Sequence, residues 1–369
     1  GSDDGTAIIW QLKKRSQETV FRGHEAGIRC LKMLEEGYLV TGSYDKTVRL
    51  WNLNQDSESK VLAVHGEPVK CLALTKSMKY VVSGSSDKTI IIWDLQKSLH
   101  KATLTGHSGK VRGLEFTGDE RHLVSVSDDK TARVWSMESF QEHSVLRGHT
   151  EAVRCLKIIP SSSYVATGSL DKTVILWDLA GGEETVLKGH SNRILSMEVL
   201  EKGKYLASGS RDSDIILWDL RKKELKTVLK GHSAGVECLT SVEKGKTLIS
   251  GAWDTNIRIW NLYPPVQKEI VIQNHSSKVN CLLNFGRYLA SASADSTISI
   301  WSIDEMRCVG TLEGHQKAIK SLALAKENLL ASGSSDGTVR LWNVEAKQEE
   351  AVLEGHSGKV WCLAPINDK

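Results

Sequence analysis

Residues 42–53 read GSYDKTVRLWNL, residues 84–95 read GSSDKTIIIWDL, and residues 168–179 read GSLDKTVILWDL. Each stretch sets an Asp in turn chemistry after Gly-Ser, then runs through β-branched residues to a Trp. One pattern recurring at this spacing is an internal repeat, which has to be settled before any other reading. Its Trp recurs at Trp10, Trp51, Trp93, Trp135, Trp177, Trp218, Trp260, Trp301 and Trp342, nine of the eleven tryptophans, at intervals of 41 or 42 residues. An Asp stands six residues before each: Asp4, Asp45, Asp87, Asp129, Asp171, Asp212, Asp254, Asp295 and Asp336. A His precedes that Asp by 20 to 22 residues in each complete repeat: His24, His65, His107, His149, His190, His232, His275 and His315. His356 opens a ninth copy that the end of the chain interrupts. The period covers all 369 residues, so a single domain spanning 1–369 is expected.

Each period also divides into four short β-rich runs, such as 110–116, 122–127, 131–137 and 143–149, separated by Gly, Asp and Ser. Four short strands per repeat point to the blade of a β-propeller. Charged residues are 25% and apolar residues 40%, as in chains that fold. No apolar run reaches the roughly 20 residues of a spanning helix, so no membrane insertion is expected. The net charge of +3 does not by itself mark a polyanion binder.

The quoted stretches, each with a His about twenty residues before its Asp, resemble the WD40 family over the full chain. That resemblance implies an all-β closed WD40 β-propeller. Dividing 369 by a period of about 41.5 gives about nine units. Nine blades are therefore expected, the closing one a composite. Its C-terminal part would supply a strand around 359–364 and its N-terminal part strands around 6–11 and 18–22. The equivalent of Tyr38–Thr41 is missing, which suggests a sequence trimmed or excised from a longer chain. The alternative is eight blades with surplus terminal strands.

Ser or Thr also repeats, as Thr41, Ser83, Ser125, Thr167, Ser208, Ser250, Ser291 and Ser332, four residues before the Asp. Ser/Thr, His and Asp together invite a hydrolase reading. A catalytic triad is needed once, with one oxyanion hole, whereas this set is copied in every repeat. The WD40 resemblance implies instead a buried structural tetrad of His, Ser/Thr, Asp and Trp. No catalytic residue, cofactor or metal is expected. Val64 and Asn274 replace the Gly that usually precedes the His, and altered loop geometry with intact tetrads is expected there.

Six of seven cysteines, Cys30, Cys71, Cys155, Cys238, Cys281 and Cys362, fall six residues after the His, where the other repeats carry Gly113, Ser196 and Ser321. No metal-binding spacing occurs among them. Free thiols suit a reducing compartment, so an intracellular location, cytoplasmic or nuclear, is expected. Gly245-Lys246-Thr247 lacks the P-loop glycine, Thr240 standing in its place. The sequon Asn274-His275-Ser276 overlies a tetrad His and reads as coincidence, and Pro264-Pro265 reads as a stiffened loop.

By the same resemblance, three positions per repeat face the ligand entrance: the third and fifth after the His, and the one before the Asp. Ten of these 27 positions are Lys or Arg and three are acidic, where the chain-wide rate of 48 in 369 would give about 3.5 basic residues. Arg29, Lys70, Lys110, Arg112, Arg154, Arg193, Arg211, Lys278, Lys320 and Lys359 form the basic set, and Tyr44, Trp253 and Trp361 the aromatic one. The Arg pattern is similar to the phosphopeptide-reading surface of F-box WD40 receptors, although no F-box is present here. The expectation is a monomeric, non-enzymatic scaffold that binds an acidic or phosphorylated peptide. The alternatives are a sensor or scaffold module of a larger protein, and nucleic-acid or phosphoinositide binding by the same residues.

Overall fold

The computed structural model describes the chain except residues 12–15, 35–36, 54–58, 243–244, 263–268, 274, 304, 306, 327 and 366–369. Pro264-Pro265 and Asn274, with its sequon, therefore lie outside the described residues. The described residues form eight four-stranded antiparallel sheets and one two-stranded sheet. The four-stranded sheets, one to eight in chain order, span 28–64, 69–104, 111–147, 153–187, 194–229, 236–273, 279–312 and 319–353. In each, strands follow chain order, so neighbours in sequence are neighbours in the ladder. The two-stranded sheet pairs Ala7–Gln11 with Ser16–Phe21.

The second strands are the most buried: Tyr80–Ser85 and Tyr205–Ser210 are buried at every position. In sheets one, two, four, five and eight these strands carry a Ser/Thr-Gly-Ser segment, and its Gly is a packing residue. It pairs across the ladder with the Cys or Ser of the first strand, as in Cys30–Gly42, Cys71–Gly84, Cys155–Gly168 and Ser196–Gly209. A Cβ on Gly42 would lie 2.7 Å from the Val69 side chain of the next sheet and 2.9 Å from Cys30 Sγ. The same closeness recurs at Gly84–Val111, Gly209–Val236 and Gly251–Val279. Neighbouring sheets thus approach at a glycine, and the cysteine column exists because the facing residue is small. The seven cysteines are free. Burial pushes the Cys71 and Cys155 thiols up to about 12, away from reactivity.

Two compact bodies share the chain. One, Gly1–Leu114 with Ser296–Ile298 and Thr311–Lys369, holds sheets one, two and eight and the terminal hairpin; the other, Glu115–Asp295 with Ser299–Gly310, holds sheets four to six and most of three and seven. Within the first body the two ends of the chain meet. Ser2 and Val360 form an isolated bridge, the Asp3 N–H donates to Lys359 O at 2.9 Å, and the Trp361 N–H donates to Gly1 O at 3.1 Å. On one side the Val360 N–H donates to Ser334 O of sheet eight at 2.9 Å. On the other the Ile28 N–H of sheet one donates to Ser2 O at 2.8 Å.

The expectation of nine blades is corrected here: eight sheets are complete, and the terminal segments make only a partial unit beside them. Without an equivalent of Tyr38–Thr41, the segment after Val360 has no second strand to ladder against. The expected strand at 359–364 is reduced to one bridge.

Candidate functional site

The tetrads form as hydrogen-bonded chains. In sheet one His24 Nδ1 lies 2.6 Å from the Asp45 carboxylate and Nε2 2.7 Å from Thr41 Oγ1, which accepts the Trp51 indole N–H at 2.7 Å. The same three links join His149, Asp171, Thr167 and Trp177, and likewise His190, Asp212, Ser208 and Trp218. They recur in His232, Asp254, Ser250 and Trp260, in His275, Asp295, Ser291 and Trp301, and in His315, Asp336, Ser332 and Trp342. In sheet three the Trp135 indole donates to Ser125 at 2.8 Å, and His107 is buried. The Ser/Thr groups are at most 1% exposed, which leaves no room for a substrate beside the hydroxyls.

Two tetrads depart from the expectation. In sheet two His65 keeps Asp87 at 3.0 Å and Ser83 at 2.8 Å, but the Trp93 indole makes no bond to Ser83. Trp93 is half-buried, with the Lys60 ammonium 5.5 Å from its ring centre. The preceding residue explains this. A Cβ on Gly23, Gly148 or Gly189 would lie 3.2, 3.1 or 3.3 Å from the outer edge of its own tetrad indole. Val64, the last residue of the fourth strand of sheet one, stands at that position before His65, so the Trp93 ring has less space to seat. The terminal copy is also incomplete. His356 meets Asp4 at 3.2 Å and Thr6 Oγ1 at 2.8 Å, while the position of its Ser/Thr falls in the missing second strand. Trp10 packs instead against the Val339, Leu341 and Val360 cluster.

The basic and aromatic positions fall into two groups, one in each body. In the first body Trp361 has the Arg29 guanidinium 4.6 Å and the Lys320 ammonium 5.7 Å from its ring centre, one from sheet one and the other from sheet eight. Its indole N–H donates to Asp3 at 2.6 Å. Tyr44, 42% exposed, has the Lys70 ammonium 4.4 Å from its ring centre. Lys110 and Lys359 are exposed and Arg112 is half-buried in the same body. In the second body the Arg211 guanidinium lies 5.1 Å from the ring centre of Trp253, whose indole donates to Glu237 at 2.6 Å. Arg154 pairs with Asp128 at 3.5 Å, Arg193 is half-buried, and Lys278 is exposed.

Each of the three aromatic candidates thus has a cation beside its ring, and Trp361 has two, a geometry of favourable cation–π attraction. The acids among the 27 positions, Asp3, Asp128 and Glu237, are spent on holding Trp361, Arg154 and Trp253 in place. Sequence reasoning placed these residues but could not pair the rings with their cations, because each cation comes from a different repeat than the ring it faces. It also missed a polar run in the second body. There Lys157 bonds Glu198 at 3.3 Å and Ser241 donates to Glu198 at 3.0 Å, linking the first strands of sheets four, five and six.

The family model "WD domain, G-beta repeat" matches residues 15–52, 57–94, 98–136, 140–178, 181–219, 223–261, 267–302 and 306–343. The fold and the repeated tetrad define a WD-repeat protein. The chain belongs to the WD40 family, with eight matched repeats that agree with the eight complete sheets. Among solved structures it is similar to a crystal structure of the computationally designed Ika8 protein. The two are 26% identical with a TM-score of 0.70, over 88% of this chain and 98% of that one. Among the described residues no helix is long and apolar enough to cross a membrane.

Proposed function

We propose that the chain is a non-enzymatic interaction platform, an eight-bladed propeller with a partial unit at its seam, that binds an acidic or phosphorylated peptide. The observation that carries this reading is Trp361, an indole with cations from both neighbouring sheets beside it and Asp3 fixing its N–H. A phosphate or carboxylate reaching Arg29 gains charge-assisted hydrogen bonds, and Arg can take it in bidentate fashion. The flanking apolar residue of such a peptide packs on Trp361 or Tyr44, and aromatic and Arg residues of this kind carry most of the energy at interfaces. The tetrads argue against catalysis at the repeated Ser, His and Asp, since their hydroxyls are sealed from solvent.

The test is an array of acidic peptides and phosphopeptides probed at two salt concentrations with the wild-type chain and the Arg29→Glu, Lys70→Glu double variant. The wild type is expected to select a sequence-defined anionic peptide, and the variant to lose it with an unchanged melting temperature. Equal binding by both proteins, or none by either, rejects the reading. Affinity that collapses with salt irrespective of sequence points to a phosphate backbone such as nucleic acid.

A further inference from the structure

Of the twelve histidines, nine belong to the tetrad series and three do not: His100, His122 and His143. His100 is bonded to Thr103 at 2.9 Å. The other two meet each other, with ring centroids 4.9 Å apart and planes inclined by 50°. His122 opens the second strand of sheet three, His122–Ser127, and His143 lies in its fourth strand, Glu142–Arg147. The third strand runs between them. His122 sits opposite Ser136, while the ladder slips between Glu142 and Ser144, leaving His143 as the extra residue of a bulge. Bulges re-aim a side chain, and this one brings an imidazole from the edge strand to meet one two strands away.

The same pair of positions is used differently elsewhere in the repeat. The second strands of sheets one, two, four, five and seven open with Tyr38, Tyr80, Tyr164, Tyr205 and Tyr288. In sheet five an equivalent slip leaves Lys226 as the extra residue, its ammonium 3.6 Å from the centre of the Tyr205 ring. Sheet three replaces both members, phenol and ammonium, with imidazoles. A paired replacement of this kind exchanges one interaction for another. Two imidazoles bring two nitrogen donors of the type that transition metals favour.

We infer that His122 and His143 form a two-imidazole site for a borderline divalent transition metal such as Ni²⁺, Cu²⁺ or Zn²⁺. A metal about 2.0–2.1 Å from one nitrogen of each ring, at a right or tetrahedral angle, sets the ring centroids about 4.5–5.2 Å apart. The observed spacing falls in that range. Among the described residues neither imidazole holds a hydrogen bond, so the nitrogens are open to a ligand. Asp119, fixed by the Thr117 hydroxyl at 2.6 Å and the Arg121 N–H at 3.1 Å, adds negative potential beside His122, and the Arg121 side chain opposes it. No cluster of three or more protein donors exists among the described residues, so water completes the coordination.

The test is calorimetric titration of the tag-free chain with Ni²⁺ alone at pH 7.5 and pH 5.5. One equivalent is expected to bind at the higher pH and to be lost at the lower, as protons displace the metal. The variant His122→Tyr, His143→Lys writes the pair of sheet five into sheet three, and it is expected to lose that equivalent at an unchanged melting temperature. His143→Ala, an exposed change, must lose it too. Absence of binding by the wild type, or equal binding by either variant, overturns the site.

Discussion

At the scale of the residue, a neutral imidazole satisfies every partner in a tetrad. Its Nδ1–H donates to the carboxylate, its Nε2 accepts from the hydroxyl, and the hydroxyl oxygen accepts the indole N–H. Burial holds His24, His65, His149, His275 and His315 below the usual 6.5, outweighing the upward pull of their aspartates. Burial and the N-terminal charge bring His356 to about 4. Burial pushes the Asp212 carboxyl up, but the His190 hydrogen bond and charge and the Asp214 and Ser191 N–H groups more than offset it, leaving it at about 2. Asp336 reaches the same value through the Thr338 and Gln316 N–H groups, again against burial. Both kinds of shift have one sign. The unfolded chain takes up protons on His below about 6.5, where the native imidazoles stay neutral, so stability falls as pH drops below that value. The carboxylates add stability above about 3.8 that is lost as pH falls toward 2. The melting temperature is expected to decline from pH 7 to pH 5 and more steeply below pH 4, measured by calorimetry in matched ionic strength. A flat profile would mean that the imidazoles are charged in the native state. Asp171→Ala, which orphans His149 and the Thr150 and Thr173 N–H groups, is expected to cost about 1–3 kcal/mol in denaturant unfolding.

At the scale of the element, two glycine columns decide how each repeat closes. One, at Gly42 and its equivalents, faces the next sheet. The other, at Gly23 and Gly148, faces the tetrad indole. Gly148→Val should reproduce in sheet four what Val64 accompanies in sheet two: the Trp177 indole leaves Thr167, with a loss of about 1–3 kcal/mol. The indole N–H resonance of Trp177 checks it directly, and an unmoved resonance with unchanged stability would clear Val64 of any role. The strands and the His, Ser/Thr and Asp of the tetrads were legible in sequence because periodicity is a one-dimensional signal. The seating of Trp93 was not, because it depends on Val64 at the end of the strand before His65 and not on the motif itself. The cation–aromatic pairs were equally hidden, since Arg29 and Lys320 reach Trp361 from positions more than forty residues distant in sequence or at the opposite end of the chain.

At the scale of the whole molecule, the period located the two ends beside each other, but it overstated what they build. A unit without its second strand has the right phase and too few ladder bonds. The contacts that remain copy those of complete repeats. A Cβ on Gly333 would lie 2.7 Å from the Val360 side chain, as Gly42 stands to Val69, and a Cβ on Gly1 would lie 2.8 Å from the Ile28 side chain. Cys362 Sγ faces Gly1 O at 4.0 Å, as Cys30 faces Gly42 O at 3.8 Å. In repeat proteins stability is close to a sum over units and their nearest-neighbour interfaces, so losing one interface acts first on the units that shared it. Deleting residues 356–369 removes His356 and the Ser357 N–H from Asp4, and Val360 from Ser334. The shortened chain is expected to melt at a lower temperature and to lose amide exchange protection first in the terminal hairpin and sheets eight and one, with sheets four to six protected longest. A uniform loss of protection across all eight sheets would make the seam a condition for folding of the entire chain, and no loss would leave its hydrogen bonds without a stabilising role.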